Sequence, residues 1–194
     1  MKLAALFILA SIVVSSVGWA QEVPVFAITP VESTITFNVD ASVAIKGTFD
    51  KWNATLTFTS TDVTTGVLDV EIQAATVDTG SGLKNGKLKG PDFFDVEQNP
   101  VITFKSTKLS QTGPNTFALE GNFTIRGVTK PEKLTLVVEG AGTGSGTISG
   151  TMAFDRKDYG MNSGIPFIKI ANRVEVTVAL KAKRISGPPV ALNH

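Results

Sequence analysis

Residues 117–126 read FALEGNFTIR, and their apolar and polar side chains alternate along the chain. In an extended segment, successive side chains point to opposite faces, so a period of two separates them onto two surfaces. One face then carries the apolar residues and the other the polar ones: Phe117, Leu119, Phe123 and Ile125 against Glu120, Asn122, Thr124 and Arg126. This stretch is therefore predicted to be a long β-strand with one buried face.

The same period recurs through most of the chain after residue 30, and helix-period patterns are scarce. Turn residues separate the runs, as at Thr65-Gly66 and Gly113-Pro114-Asn115, where reversals between antiparallel strands are expected. Alternating runs lie near residues 34–39, 45–50, 54–59, 68–74, 102–105, 134–138, 148–154 and 173–181. We predict an all-β, antiparallel, eight-stranded barrel, because phenylalanine is frequent on the inward face; a sandwich is the alternative.

Two segments interrupt the alternation, at residues 79–97 and 159–169. The first contains Phe93-Phe94, in a stretch that reads as a loop or short helix. A phenylalanine pair in such a segment is expected to cover something apolar, so this segment is predicted to be a short helical or loop lid. Connections of this length are also more often functional than ordinary hairpin loops.

The N-terminus reads as a secretory signal peptide. Lys2 precedes an apolar run, and Gly18-Trp19-Ala20 provides small residues for cleavage after Ala20. The predicted organisation is a signal peptide at 1–20, one domain at 21–185 and a disordered tail at 186–194. We therefore expect a periplasmic or secreted protein.

The mature chain would carry no net charge, because removing Lys2 leaves 17 basic and 17 acidic side chains. A neutral chain offers no electrostatic basis for binding nucleic acid. A barrel that spans a membrane is disfavoured, because it would face its apolar residues outward between aromatic girdles. The expected partner is a ligand rather than nucleic acid or the membrane interior, and a homodimer is possible.

Catalytic and metal-binding residues are scarce. The chain has no cysteine, and its single histidine is His194 at the end, so nucleophile–histidine and zinc arrangements are not predicted. The carboxylate pairs Asp92/Asp95 and Asp155/Asp158 could serve an enzyme, but turn capping explains them more simply. We predict a protein that is not an enzyme, with no cofactor and no metal.

An apolar ligand inside the barrel is the favoured hypothesis, and a barrel filled by its own side chains is the alternative. Charged residues in the two irregular segments could form a polar rim or simply be solvated turns; Lys87, Arg156 and Asp158 are the predicted polar residues at the mouth. The residues predicted to contact the ligand are Phe37, Phe49, Phe58, Phe93, Phe94, Phe104, Leu119, Phe123, Phe154 and Phe167.

Several motifs together resemble those of the YceI-like family of secreted, lipocalin-like proteins. The motifs are Gly47-Thr48-Phe49, Thr76-Val77-Asp78-Thr79, the segments 88–95 and 99–104, Thr124 to Pro131, and Asp155 to Met161. The resemblance covers about residues 26–183. It implies an antiparallel, lipocalin-like barrel whose interior binds a polyisoprenoid lipid, such as a polyprenyl quinone or alcohol, without covalent chemistry.

Overall fold

The computed structural model describes residues 22–42, 44–140, 143–164 and 169–192. These residues form antiparallel β-structure with a single α-helix, so the prediction of an all-β antiparallel fold is confirmed. The strands are β1 Val25–Ile28, β2 Thr34–Ala41, β3 Ile45–Phe49, β4 Trp52–Thr57, β5 Val67–Gln73, β6 Val77–Asp78, β7 Val101–Gln111, β8 Thr116–Ile125, β9 Val128–Glu139, β10 Ser145–Asp155 and β11 Ile170–Ser186, and helix α1 is Gly82–Lys89.

All the strands belong to one curled sheet. Its order is β4-β5-β7-β8-β9-β10-β11-β2-β3-β6, and β1 adds to β11. Although β4 and β6 end this order, β4 directly continues β3 and β6 continues β5 along the chain. The two ends of the sheet therefore meet in one bent hairpin, and we refer to the curled sheet as the barrel.

The predicted number of eight strands is not confirmed, since the described residues form eleven. Two long runs are each divided by a bend, one at residues 50–51 and the other at the 3-10 turn Ala74–Thr76. The bends face each other, because Asp50 donates its backbone N–H to the Thr76 carbonyl at 3.3 Å. Alternation marks an inward face but does not reveal where a strand bends.

The structure buries the apolar residues of the predicted alternation and leaves the residues between them more exposed. In β8 the inward residues from Phe117 to Ile125 are all buried, and the residues between them are more exposed. Gly121 stands on this inward face, where the ring of Phe104 occupies the space of the missing side chain; a Cβ there would lie 2.5 Å from Phe104 Cζ. The apolar core therefore fills the interior of the barrel.

The two ends of the barrel are covered differently. Helix α1 and the following turn, with Phe93 and Phe94, cover what we call the lid end. At the opposite end, which we call the tail end, Ala191 donates to the Thr61 carbonyl at 2.7 Å and accepts from Val63 N–H at 3.2 Å. The segment for which the sequence predicts disorder thus contacts the barrel as far as Leu192, while the predicted signal peptide lies outside the described residues.

Candidate ligand-binding site

The interior of the barrel contains two apolar cavities, one toward each end. The lid-end chamber has a volume of about 70 Å³, and the tail-end chamber has a volume of about 110 Å³. Both are smaller than the roughly 300–1,000 Å³ of sites for drug-sized ligands, so a lipid chain would enter only if side chains of the interior rearrange.

Aromatic rings dominate the lid-end chamber. Phe37, Phe49 and Phe94 form one group, with Phe94 at 6.3 Å from Phe37 and 5.8 Å from Phe49 between ring centroids. Phe123 and Phe154 form a second group at 5.2 Å. Among the described residues, the surface that faces this chamber is apolar, so it offers dispersion contacts and no hydrogen-bond donor.

The lid is packed into the barrel rather than lying across its surface. Phe93 is 4% exposed and Phe94 is 8% exposed. The Phe94 N–H donates to the Leu88 carbonyl at 2.9 Å, and Asp95 takes a positive φ of 49° to turn the chain back. The helix and the turn after it therefore fold into a compact cap that places both rings inward.

Asp92 forms a salt bridge within the lid and accepts a hydrogen bond from the loop after β10. Lys87 pairs with Asp92, and its ammonium lies 5.9 Å from the centre of the Phe93 ring. The other oxygen of Asp92 accepts from the Ser163 hydroxyl at 2.9 Å. The hydrogen bond from Lys87, followed by that from Ser163, lowers the pKa of Asp92, so this carboxylate stays ionised.

Two arginines connect the same loops through backbone carbonyls. Arg126 donates to the carbonyls of Gly160 at 2.6 Å and Pro91 at 3.0 Å. It holds this position with a φ of 54°, at the turn between β8 and β9. Arg126 therefore joins the lid to the β8–β9 turn and to the turn after β10.

Arg156 is 6% exposed, and its charged group binds backbone carbonyls of the surrounding loops. Its guanidinium donates to the carbonyls of Ala171 at 3.1 Å and Ser163 at 2.9 Å, and also to that of Met161. Since the chamber surface is apolar, the part of Arg156 that lines it is the aliphatic stem. The charged guanidinium instead joins the loop after β10 to the start of β11 through these hydrogen bonds.

Tyr159 closes the side of the lid-end chamber behind Phe123 and Phe154. Its ring lies 5.4 Å and 5.1 Å from theirs, and no part of it is exposed. The hydroxyl donates to Glu132 at 2.8 Å. Burial, together with the hydrogen bond to Glu132, raises the pKa of Tyr159, so the phenol is neutral and acts as a fixed donor.

The tail-end chamber combines the far ends of several strands with the C-terminal segment. Phe26 of β1 packs on Phe58 at 5.7 Å. Pro189, Val190 and Leu192 line the chamber from the outside end. Arg184 stands among the lining residues, and a hydrogen bond from its backbone N–H to the Gly144 carbonyl at 2.7 Å holds the chain there.

The predicted contact residues divide between the two chambers. The tail-end chamber is lined by Phe58 and Leu119, while Phe104 is buried but lines neither chamber. Phe167 lies outside the described residues. The lid-end chamber is lined by Phe37, Phe49, Phe93, Phe94, Phe123 and Phe154.

The three polar residues predicted at the mouth of the barrel also lie in different places. Lys87 lies at the lid and Arg156 at the chamber wall, whereas Asp158 points away and pairs with Lys130 at 3.6 Å. Sequence reasoning did not identify Arg126, although its place in a tight turn before Gly127 was a usable signal. Phe26 was also missed, because it lies in the short strand β1 outside the long alternating runs.

The carboxylate pairs considered for catalysis serve the local structure. Asp155 caps the 3-10 turn that follows β10 by accepting from the Lys157 N–H at 2.8 Å. Asp92 is bound to the lid, as described above. Within the described ranges, no group of three acidic or histidine side chains comes together as a metal site would require, and no helix there is long and apolar enough to cross a bilayer.

These features define a small antiparallel barrel with a divided apolar interior and a capped end. The profile of the YceI-like domain matches residues 26–182, which is most of the chain. The chain therefore belongs to the YceI-like family, and the resemblance predicted from its motifs is confirmed.

Curated relatives are similar over part of the chain. A UPF0312 protein of Pseudomonas savastanoi pv. phaseolicola is 28% identical over 131 residues, which cover 63% of this chain and 66% of that protein. A UPF0312 protein of Serratia proteamaculans is 34% identical over 96 residues, which cover 50% of each. The chain thus matches between half and two thirds of the length of these relatives.

Solved structures share the fold at low identity. BcnA of Burkholderia cenocepacia superposes with a TM-score of 0.72 at 22% identity, covering 80% of this chain and 99% of that one. A structure described as a polyisoprenoid binding domain from Saccharophagus degradans gives 0.67 at 17% identity, covering 83% of this chain and 99% of that one. This similarity supports the lipocalin-like YceI fold.

Proposed function

We propose that this protein binds an isoprenoid lipid, of the polyprenyl quinone or alcohol type, in the apolar interior of the barrel. The observation that carries the proposal is the pair of aromatic-lined chambers enclosed by the sheet. Membership of the YceI-like family and the fold shared with a polyisoprenoid binding domain support it. The role would be storage or transport, and the predicted signal peptide at residues 1–20 favours the periplasm or the exterior as its location.

The energetics favour a flexible hydrocarbon chain. Burying one methylene group contributes about 0.8 kcal/mol, so one five-carbon isoprene unit contributes roughly 4 kcal/mol. Association costs about 4–15 kcal/mol in lost freedom. A few buried isoprene units therefore suffice for stable binding without any strong polar contact.

The side chains around the two chambers support binding without catalysis. The chamber surfaces provide no ionisable group poised for proton transfer, since Arg156 and Arg184 donate to backbone carbonyls and Tyr159 donates to Glu132. The carboxylates of Asp92 and Asp155 are occupied by the lid and by a turn. We infer a carrier rather than an enzyme.

The test is uptake of a defined isoprenoid by the purified full chain. Farnesol is added, excess is removed, and bound lipid is measured by native mass spectrometry and by solvent extraction. We expect stoichiometric retention by the unmodified protein. The double variant Phe93→Asp with Phe94→Asp should lose most of it, because charge would enter an apolar cavity; uptake is compared under conditions where circular dichroism shows that the variant keeps its β-sheet.

Leu83→Ala is the matched control, because Leu83 lies on the same helix but is 87% exposed. Its farnesol uptake should equal that of the unmodified protein. If the unmodified protein retains no farnesol and also yields no apolar lipid on extraction from its host, lipid binding is rejected. Equal uptake by the lid double variant would remove the lid from the proposed site.

One observation favours a second candidate, an interaction protein whose barrel is filled by its own side chains. Phe104 and Met152 are buried inside the barrel without lining either chamber, so the middle of the interior is packed. This candidate predicts no ligand uptake by the unmodified protein, and it would then act through its outer surface.

A further inference from the structure

A polar recess lies on the outer face of the barrel, where β11, β2 and β3 run side by side, and we call it the outer recess. Its volume is about 550 Å³, which falls within the roughly 300–1,000 Å³ of ligand sites. Beside it the wall is open: β6 pairs only with Thr48 and Phe49, so within the described ranges the preceding residues of β3 have no strand on that side. The polar side chains from these three strands that line the recess are Thr36, Asn38, Lys46, Thr48, Glu175 and Thr177.

Strand register arranges the polar side chains of the outer recess in two parallel rows. The first row consists of direct partners on four neighbouring strands: Thr177, Thr36, Thr48 and Asp78. The second row lies two residues away along the strands and consists of Glu175, Asn38 and Lys46. Neighbouring strands are about 4.8 Å apart, so the first row is roughly 14 Å long, and the two rows are roughly 7 Å apart.

The threonine hydroxyls of the first row present acceptors to the recess. Thr36 donates its hydroxyl proton to the Thr177 carbonyl at 3.3 Å, and Thr48 donates its own to the Ile35 carbonyl at 3.0 Å. Because the wall uses each hydroxyl proton, the oxygen lone pairs remain for a donor from outside. The threonine methyl groups stand beside these oxygens, so the surface combines hydrogen-bond acceptors with small apolar patches.

The Asn38 amide carries an unsatisfied polar group in the middle of the second row. Its Oδ1 is shielded from solvent and has no hydrogen-bond partner among the residues that the structure describes. An unpaired oxygen of this kind destabilises the folded protein, and each such group in a native structure calls for an explanation. The last torsion of asparagine is broad, so the amide can turn its oxygen into the recess and accept a hydrogen bond there.

Asp78 provides a fixed acceptor at the end of the first row. One of its carboxylate oxygens accepts from the Asn85 amide at 3.0 Å and from the Gly80 N–H at 2.9 Å. These two hydrogen bonds lower the pKa of Asp78, so the carboxylate stays ionised. Its second oxygen remains available to a donor on the ligand.

The charged groups around the outer recess balance one another. Lys46 forms no salt bridge with any described residue, and Glu175 binds Arg173 at 3.2 Å. Together with Asp78 they make two cations and two anions. A strongly charged ligand would therefore meet as much repulsion as attraction, and a neutral polar ligand fits better.

We propose that the outer recess binds a neutral oligosaccharide. Sugar hydroxyls would donate to the oxygens of the two rows and accept from the Lys46 ammonium, while the C–H faces of the rings contact the threonine methyl groups. A peptide strand fits less well, because strand addition relies on a run of main-chain hydrogen bonds and the open edge of β3 is short. The recess lies outside the barrel, so this binding is independent of the proposed isoprenoid site.

The test is a titration of the purified full chain with three neutral trisaccharides: cellotriose, maltotriose and chitotriose. Amide chemical shifts in nuclear magnetic resonance spectra locate the site and give the affinity. We expect at least one trisaccharide to bind, with the largest shifts in β2 and β3 around the outer recess.

Thr48→Val keeps the shape of the side chain but removes its hydroxyl, and it should weaken binding about fivefold. Thr135→Val is the matched control. Thr135 continues the same row through Thr151 of β10 but does not line the recess, so its loss should leave the affinity unchanged.

Asn38→Val separates a binding role from a structural one. It should remove most of the trisaccharide binding, yet the variant should unfold at the same or a higher urea concentration, because an unpaired shielded oxygen is lost. A lower urea midpoint for Asn38→Val would show that the amide supports the fold instead, and would overturn its assigned role in the recess.

The remaining outcomes decide the proposal as a whole. Absence of shifts with all three trisaccharides would overturn it, and so would equal losses of affinity for Thr48→Val and Thr135→Val. Tighter binding of inorganic phosphate or of a short alanine peptide than of any trisaccharide would also overturn it. Farnesol uptake should be the same in all three variants and in the unmodified protein, so the two proposals succeed or fail separately.

Discussion

Removing the Phe94 ring should destabilise the whole barrel, because this lid residue is part of the core. Phe94 is 8% exposed and contacts Phe37 edge-on at 6.3 Å and Phe49 at 5.8 Å. Truncating a buried phenylalanine to alanine costs about 3–5 kcal/mol, through lost burial and the cavity left behind. The two aromatic pairs account for roughly 0.5–1.5 kcal/mol each within that total.

Urea unfolding followed by circular dichroism measures this loss. With a slope of about 2 kcal/mol per molar urea, Phe94→Ala should lower the midpoint by roughly 1.5–2.5 M. The far-ultraviolet spectrum before unfolding should be unchanged, because the strands of the wall keep their ladder of hydrogen bonds.

Leu83→Ala provides the control from the same helix, and it should change the free energy of unfolding by no more than about 0.5 kcal/mol. A loss below about 1 kcal/mol for Phe94→Ala would refute the reasoning. It would mean that the ring contributes little to the core and that the lid lies over the chamber as a loose cover.

Three further predictions concern the groups around the lid end. Arg126→Ala, which removes donors to two carbonyls of the rim, should lower the free energy of unfolding by about 1–2 kcal/mol in urea titrations; no change would show that the rim is held by other contacts. The pKa of Asp92 is lowered by Lys87 and Ser163, so its contribution to stability should be constant above about pH 4, the usual range of a free carboxyl, and lost as the pH falls below it. Urea titrations of Asp92→Asn against the unmodified protein should show a difference that disappears at low pH, and a difference that vanishes near neutrality would contradict the assignment. Tyr159→Phe loses the hydrogen bond to Glu132 and should cost about 0.5–1.5 kcal/mol in thermal or urea unfolding, whereas a neutral result would indicate that water replaces the hydroxyl.

The wall of the barrel could be predicted from sequence because its signal is local. The alternation in β8 assigned Phe117 and Phe123 to the interior, and both are buried there. The Phe93-Phe94 pair likewise indicated a cover, since two rings in an irregular segment need an apolar surface to contact. In each case the prediction needed only residues that are close together in the sequence.

Features that depend on distant residues could not be predicted. Phe104 reads like any inward phenylalanine, but its ring packs over Gly121 of the neighbouring strand, which the sequence around Phe104 does not indicate. Asp158 follows Arg156 by two residues, yet the 3-10 turn directs Asp158 outward to Lys130 and Arg156 into the rim. The two chambers depend on contacts between residues of different strands, and the alternating pattern of one strand does not specify these contacts.

The paired bends in the hairpin of β3–β4 and β5–β6 have a consequence for hydrogen exchange. At this level irregular bonds replace the regular strand ladder, among them Gln73 N–H to the Lys51 carbonyl at 2.9 Å and Lys51 N–H to the Thr76 hydroxyl at 3.1 Å. Local opening is easier outside a continuous ladder such as that of β8, so amides at residues 50–51 and 74–76 should exchange before those of β8.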